Sequence, residues 1–208
     1  MKTNLLLLVF ATVTLCVYGQ PAPPVISESF TTHFRAETKK SKTVESIYYV
    51  GEVYSDFAEK KYKGLVTTVQ QDKLKKHDWT LDLYKTKETY SFEWEGEDPT
   101  PTGPCRKQTN SGVMEAVWAW TRTTKYNETI TYDNHHIDIF TTFDNETEIA
   151  IGVDREKKNI PYFTSQRLGD FYVIYYYHEF DPTAPPAHTF TVPGECDRKA
   201  PKTPFIKH

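Results

Sequence analysis

Three cysteines are the first residues of this sequence that could do chemistry. Cys16 lies in an apolar N-terminal run, and loss of that run as a signal peptide would leave Cys105 and Cys196 as an even pair. Such a pair in a secreted chain is typical of one disulfide. Two free or metal-binding thiols are the alternative, but no C-x-x-C spacing supports a zinc site. The sequence therefore predicts a disulfide between Cys105 and Cys196.

A second candidate for chemistry is the pair His135 and His136, whose acidic neighbours are Asp133 and Asp138. Imidazole and carboxylate groups together could hold a metal ion. Adjacent residues of a strand, however, point to opposite faces of a sheet. We therefore do not expect these side chains to share a metal.

Three carboxylates at alternate positions, Glu93, Glu95 and Glu97, could form an acid-base cluster on one strand face. Glycosidases instead place two carboxylates across a cleft, so the polar face of a hairpin explains this spacing better. The chain also has no G-x-S-x-G elbow and no H-E-x-x-H motif. The sequence predicts neither an enzyme nor a bound cofactor.

The N-terminal run has the features of a secretory signal. Lys2 precedes an apolar stretch at 5–17, which is shorter than the roughly 20 residues that a membrane span needs. Removal of a signal peptide at 1–19 would leave one domain at 20–199 and a flexible basic tail at 200–208. We expect an extracellular, secreted protein without a transmembrane segment, folded in an oxidising compartment.

Two N-x-[ST] motifs, at Asn127 and Asn145, are sites where a secreted chain could carry glycans. Asn145 follows Asp144 in a turn signal between two strand-like runs, a position that would direct a glycan into solvent. Without Lys2, the 25 basic residues become 24 against 28 acidic ones, a net charge of −4. So mild a charge does not indicate a nucleic-acid partner.

The composition of the remaining chain favours strands, since 14 Tyr, 12 Phe and 4 Trp accompany many Thr, Val and Ile. Apolar and polar residues alternate over 79–83 and again over 90–94, which predicts an antiparallel hairpin within 77–95, connected at 85–88. Residues 97–109 contain three prolines and a glycine and are predicted to form a loop. Residues 113–120 fit a helix and a strand equally well.

The second half of the chain has strand-like runs separated by turn signals, which predicts a meander. The turn signals lie at 133–134, 144–145, 154–159 and 168–170. The last run, 171–177, has bulky side chains at both parities. We therefore expect a central strand that has both faces covered or one face along an apolar cavity.

Three segments together resemble ependymin-related proteins. They are Tyr49–Phe57, the sequence Phe180-Asp181-Pro182, and Phe190–Cys196. The resemblance extends from about residue 28 to 197, and the first segment is also similar to the non-catalytic N-terminal domain of some secreted invertebrate cysteine proteinases.

The resemblance implies a mainly β (α+β) fold like that of the lipoprotein carrier LolA. This fold is a curved antiparallel half-barrel with one or two short helices in its concave face. It also implies an extracellular glycoprotein that is often calcium-binding and has a pocket for lipid-like ligands. No EF-hand-type loop assigns calcium to particular residues. The acidic turn residues Asp133, Asp138, Asp144 and Glu146 are candidates for weak calcium sites, although solvated turn residues explain them better.

Aromatic residues are the remaining candidates for a ligand site. Most must fill a core, but a curved half-open sheet has more concave surface than short helices can fill. The predicted pocket consists of Trp79, Trp94, Trp118, Trp120, Phe171, Val173, Tyr175 and Tyr177. The leading hypothesis is a secreted glycoprotein that binds a hydrophobic small molecule or lipid there.

Two alternative functions stay open. One is a calcium-associated extracellular matrix or adhesion glycoprotein, whose partner would be the matrix or a second copy. The other is a domain that binds or regulates a partner such as a protease, which only the proteinase-domain resemblance suggests.

Overall fold

A computed structural model describes four stretches of the chain: 20–40, 47–70, 74–157 and 159–197. The predicted signal peptide at 1–19 and tail at 200–208 lie outside the described residues. The described residues form one open, curled, antiparallel sheet of 11 strands with a few short helical turns. The predicted mainly β half-barrel architecture is confirmed.

The strands follow one another along the chain with short connections. The first six are β1 (Phe30–Lys40), β2 (Ile47–Asp56), β3 (Lys61–Gln70), β4 (Leu74–Leu83), β5 (Glu88–Glu95) and β6 (Arg106–Thr109). The last five are β7 (Lys125–Tyr132), β8 (His135–Asp144), β9 (Thr147–Asp154), β10 (Pro161–Leu168) and β11 (Phe171–Asp181). The helical turns are two 3-10 helices, Ala119–Thr123 and Ala187–Phe190, and the α-helix α1 (Gly194–Asp197).

The sheet consists of two meanders joined at its centre. Its strand order is β6-β5-β4-β3-β2-β1-β11-β10-β9-β8-β7, so β1 and β11 join the two halves. Tyr175 of β11 lies opposite Ala36 of β1 on one side and Thr164 of β10 on the other. The central position predicted for the strand at 171–177 is confirmed.

The hairpin turns form at the turn signals predicted from sequence, because Asp and Asn adopt the backbone angles that such turns require. Asp133 and Asn134 both have positive φ, 47° and 63°, as expected of the tight turns that connect twisted strands. Asn145 has φ 53° in the next turn. The hairpin β4–β5 turns at 84–87, one residue before the predicted connection.

The structure corrects the prediction for one segment and resolves the ambiguity in another. The predicted loop at 97–109 ends in a short edge strand, β6. The ambiguous segment 113–120 is neither a strand nor a regular helix; it ends in a turn and enters a 3-10 helix at Ala119. The Glu28 carboxylate accepts a hydrogen bond from the backbone N–H of Trp118 at 3.1 to 3.2 Å, which holds this turn on the sheet.

The two faces of the sheet carry separate aromatic clusters. Val53 and Tyr54 are adjacent in β2, so their side chains point to opposite faces. Val53 packs against the Trp118 cluster: Ile26, Phe30, Trp118, Phe140, Ile151, Val153 and Phe180. Tyr54 packs against the Trp79 cluster: Trp79, Leu81, Tyr90, Phe92 and Phe190. The short helical turns are accordingly divided between the two faces.

The two outer strands of the sheet have irregular or exposed edges. The pairing of β7 with β8 shifts register between Tyr126 and Glu128, which leaves Asn127 bulged. All four residues of β6 are exposed, and two of them are the cations Arg106 and Lys107.

Candidate functional site

A cavity of about 560 Å³ opens between the Trp79 face of the sheet and the C-terminal segment. Trp79 and Phe92 form its floor, with ring centroids 5.4 Å apart and ring planes at 73°. The other lining residues are Tyr54, Lys63, Thr100, Pro101, His188, Thr189, Thr191, Pro193 and Glu195. We call this space the Trp79 cavity.

Strand register explains the aromatic floor. Trp79 lies directly opposite Phe92 in the β4–β5 hairpin, and Leu65 of β3 lies opposite Trp79 on the other side. Cross-strand partners share one face of a sheet. The alternation of apolar and polar residues in β4 and β5 thus produces a continuous apolar surface under the cavity.

The roof of the cavity is the C-terminal segment, attached to the sheet side by a disulfide. The 3-10 helix at 187–190 directs Phe190 into the Trp79 cluster, where it is 5% exposed. The Sγ atoms of Cys105 and Cys196 lie 2.03 Å apart, and both residues border the same cluster. The roof is therefore anchored by one buried ring and one covalent link.

One wall of the cavity follows β5 and is positioned by a buried histidine. His77 Nε2 lies 2.9 Å from the Gly96 carbonyl oxygen, so this nitrogen carries the donated proton. The Thr67 hydroxyl then donates to Nδ1 at 2.8 Å. Trp94 stacks on the imidazole at 5.0 Å and donates its indole N–H to the Asp98 carbonyl oxygen at 2.9 Å. These bonds hold the start of the loop that supplies Thr100 and Pro101.

The polar part of the lining combines one cation with a tyrosine. Lys63 Nζ lies 4.9 Å from the centroid of the Tyr54 ring. The Tyr54 hydroxyl donates to Glu52 Oε2 at 2.9 Å. Burial, together with the hydrogen bond and the negative charge of Glu52, raises the pKa of Tyr54 to about 12. The Tyr54 phenol is therefore neutral at physiological pH. Two further polar residues of the lining, His188 and Glu195, lie exposed at the rim of the cavity.

The structure does not bring the eight predicted pocket residues into one cavity. Trp79 lies in the floor of the Trp79 cavity, and Trp94 lies beside it against His77. Trp118 and Tyr177 pack against each other on the opposite face, with ring centroids 5.5 Å apart.

Trp120 and Tyr177 both border the Trp118 cluster. Tyr177 shares a hydrogen bond with Thr164, with the two oxygens 2.9 Å apart. Burial raises the pKa of Tyr177 to about 12. These residues fill a core, because the aromatic rings of this cluster contact one another.

The remaining three predicted residues lie along β11 on the face that carries Tyr177. The ring centroids of Tyr175 and Phe34 lie 6.0 Å apart, and Val173 is half-buried. Phe171 is 48% exposed at the start of the strand. The intervening residues of β11 line a separate groove of about 220 Å³ on the other face. Its lining is Ile130, Tyr132, Ile137, Tyr162, Phe163, Tyr172, Ile174 and Tyr176.

Sequence reasoning missed Lys63 and His188 as lining residues. Phe92, which also lines the cavity, could have been identified from sequence. Phe92 and Trp94 are alternate residues of one predicted strand, so their side chains lie on the same face. Lys63 and His188 had no comparable signal: a lysine in a strand and a histidine in a proline-rich segment are usually solvated.

Three of the residues considered for metal binding, Asp138, His135 and His136, have other partners. Asp138 is not a turn residue as predicted but lies in β8, where it is 1% exposed. Its burial is tolerated because Arg155 and the Thr129 hydroxyl donate hydrogen bonds to its Oδ1. His135 Nδ1 lies 3.0 Å from Asp154 Oδ2, whereas His136 contacts Thr131. Across the four described stretches, no group of three or more His, Cys, Asp or Glu side chains is arranged to hold a metal ion.

The strand glutamates have cationic neighbours. Glu93 lies 3.5 Å from the Arg106 guanidinium, and Glu97, beyond the end of β5, lies 2.5 Å from Lys75 Nζ.

Both sequon residues, Asn127 and Asn145, are exposed. None of the helices in the described part of the chain has the length and apolar character needed to cross a membrane.

No known protein family and no curated protein sequence matches this chain. The resemblance to ependymin-related proteins stays a prediction. The fold is similar to that of the lipoprotein LppX of Mycobacterium tuberculosis, with a TM-score of 0.42 and 10% identity over 74% of this chain and 88% of LppX.

Two further solved structures are similar at lower scores. PNGF-II has a TM-score of 0.33 and 9% identity, over 79% of this chain and 30% of that protein. A DUF1329 family protein from Desulfovibrio piger has a TM-score of 0.31 and 7% identity, over 79% of this chain and 90% of that protein. Similarities at this level do not identify a function.

Proposed function

We propose that this chain is an extracellular binding protein that takes a hydrophobic ligand into the Trp79 cavity. The observation that carries the proposal is the cavity itself: about 560 Å³ over a floor formed by Trp79 and Phe92. Ligand sites in proteins typically have volumes of about 300 to 1,000 Å³ and combine aromatic walls with a few polar groups. Burial of a ligand methylene there would contribute about 0.8 kcal/mol.

Binding without covalent chemistry is the proposed activity. The two mature cysteines are joined to each other, so neither thiol is free to act as a nucleophile. The threonine hydroxyls and prolines of the lining are suited to contact a ligand rather than to transform it. Export to the extracellular space is part of the proposal, and the exposure of Asn127 and Asn145 is compatible with glycan attachment.

The first experiment is native mass spectrometry of the secreted, glycosylated protein, followed by solvent extraction. Co-purified lipid or another apolar molecule supports an occupied cavity. A protein that carries no such molecule and shows no saturable binding of a hydrophobic fluorescent probe contradicts the proposal. Glycosidase treatment of the same sample tests both sequons through the loss of mass.

A matched pair of variants locates the site. Phe92 and Phe140 are 2% and 1% exposed in the Trp79 and Trp118 clusters, respectively. Phe92→Leu should weaken probe binding about three- to tenfold, because it removes aromatic contacts from the cavity floor. Phe140→Leu should lower stability while leaving binding unchanged. Equal binding losses in both folded variants would place the ligand elsewhere.

The alternative function as a matrix or adhesion glycoprotein is favoured by one observation. Several large apolar side chains are exposed, including Phe143 at 70% and Tyr132 at 52%. Exposed apolar surface can mark contacts with another macromolecule. Sedimentation with and without calcium tests this alternative, which predicts self-association that depends on calcium and a cavity without ligand.

A further inference from the structure

Lys63 lines the Trp79 cavity, and Lys61 of the same strand lies nearby with its Nζ 5.9 Å from the centroid of the Phe190 ring. Lys75, Lys85 and Lys107 are each paired with a glutamate. Within the described residues, Lys63 makes no ion pair, and its Nζ lies over the Tyr54 ring. Its ammonium group therefore lies at the cavity lining without an ion-pair partner among the described residues.

The position of Lys63 is set by strand register. Lys63 lies two residues before Leu65 in β3, so both side chains are on the face that carries Trp79. Lys63 itself lies opposite Leu81, a fully buried member of the Trp79 cluster. A cation is thus held at the boundary between an apolar floor and the polar part of the lining.

We propose that the ligand of the Trp79 cavity is an anionic amphiphile, an inference that rests on the proposed function above. Its apolar chain lies over Trp79 and Phe92, and its single anionic group meets the Lys63 ammonium. A charge-assisted hydrogen bond of this kind contributes more than a neutral one. A carboxylate, a sulfate and a phosphate monoester share the required chemistry.

Glu195 is the opposing charge in the lining. It lies in α1 on the roof and is exposed. Its carboxylate repels an anionic head group, although solvent screens the repulsion. The balance between Lys63 and Glu195 therefore sets the preference of the cavity for charged ligands.

The test compares dodecanoate with dodecanol, which have the same chain length and differ in head-group charge. Binding to the secreted full chain is measured by calorimetry below the concentration at which either probe aggregates. The wild-type protein should bind dodecanoate about tenfold more tightly, the equivalent of one charge-assisted hydrogen bond. Lys63→Met should abolish this preference and keep dodecanol binding.

Two further variants sharpen the test. Lys125→Met changes an exposed lysine of β7, far along the strand order from β3, and should keep the preference. Glu195→Gln should strengthen dodecanoate binding and leave dodecanol binding unchanged. Equal affinities in the wild-type protein, or a preference that persists in Lys63→Met, would overturn the inference. If neither probe binds, the proposed function itself fails.

Discussion

The Trp118 cluster and the Trp79 cluster contain similar side chains but border open spaces of different size. Each places a tryptophan against phenylalanines on one face of the same sheet. The first borders a space of about 300 Å³ beside Phe140 and Val153, whereas the second borders the Trp79 cavity of about 560 Å³. The difference lies in the segment that covers each face.

The cover of the Trp118 cluster supplies large apolar side chains. The N-terminal segment before β1 contributes Ile26, and the segment at 113–120 contributes Trp118 itself. The Thr121 hydroxyl donates to the Pro24 carbonyl oxygen at 3.0 Å, which ties these two segments together. Rings of this size pack closely over the centre of this face, and the space that remains lies between residues 22–25 and the pair Phe140 and Val153.

The cover of the Trp79 cluster is built differently. The C-terminal segment contributes Phe190 as its buried ring, and the residues around it are threonines, prolines and His188. Such side chains do not reach the floor formed by Trp79 and Phe92. The side chains of the covering segment thus affect how much open space remains over each face of the sheet.

Removal of the Trp118 ring should produce the largest effect. Trp118→Ala should lower the free energy of unfolding by about 3–5 kcal/mol, because a buried tryptophan is replaced by a void. Denaturant unfolding measures this loss. Ligand affinity of the remaining folded protein should not change, and a parallel loss of affinity would show that the two clusters are not independent.

Removal of the disulfide should act on the other cluster. The double variant Cys105→Ala/Cys196→Ala should lose about 2–4 kcal/mol, because a loop with a sequence separation of 91 residues is no longer closed. Hydrogen exchange should show the loss of protection mainly in 187–196. Uniform loss across both halves of the sheet would contradict a local role for this link.

Substitution of His77 should have a smaller effect on the cavity wall. His77→Ala removes two hydrogen bonds and the stacking of Trp94, and should cost about 1–3 kcal/mol. His135→Ala is the control, since this imidazole is exposed and should change stability by less than about 0.5 kcal/mol. Similar losses in the two variants would refute the structural role assigned to His77.

Ionisation of Tyr177 should have the smallest effect on stability at physiological pH, because it takes place only at strongly alkaline pH. The pKa of Tyr177 is raised to about 12 in the folded protein from its ordinary value of about 10. The stability from its neutral form is complete below about pH 10 and is lost as pH rises through about 12. Unfolding measured across this range should show a weaker pH dependence in Tyr177→Phe, and an unchanged dependence would contradict this assignment.

Local features of this fold were predictable from sequence. The alternation around Trp79 and Phe92 predicts the β4–β5 hairpin, and the Asp133-Asn134 pair predicts a tight turn. These patterns depend on neighbours a few residues apart, where strand periodicity and turn chemistry act directly.

The distribution of the aromatic residues was not predictable in the same way. Trp79 takes its face from the register of β4, whereas Trp118 lies on the opposite face because its segment packs with the N-terminal residues Pro24 and Ile26. Those contacts join residues far apart in sequence, and no periodicity within either segment reports them. The cavity could be anticipated as a property of the fold, but its location and its cation could not.

The bulge at Asn127 has a consequence for how molecules of this protein meet one another. An open sheet presents two unpaired edges, and each can template a strand from another copy. At one edge the bulge interrupts the ladder, and at the other β6 is only four residues long and carries Arg106 and Lys107. Both edges are thus poor templates, which protects a large antiparallel sheet from edge-to-edge aggregation at high concentration.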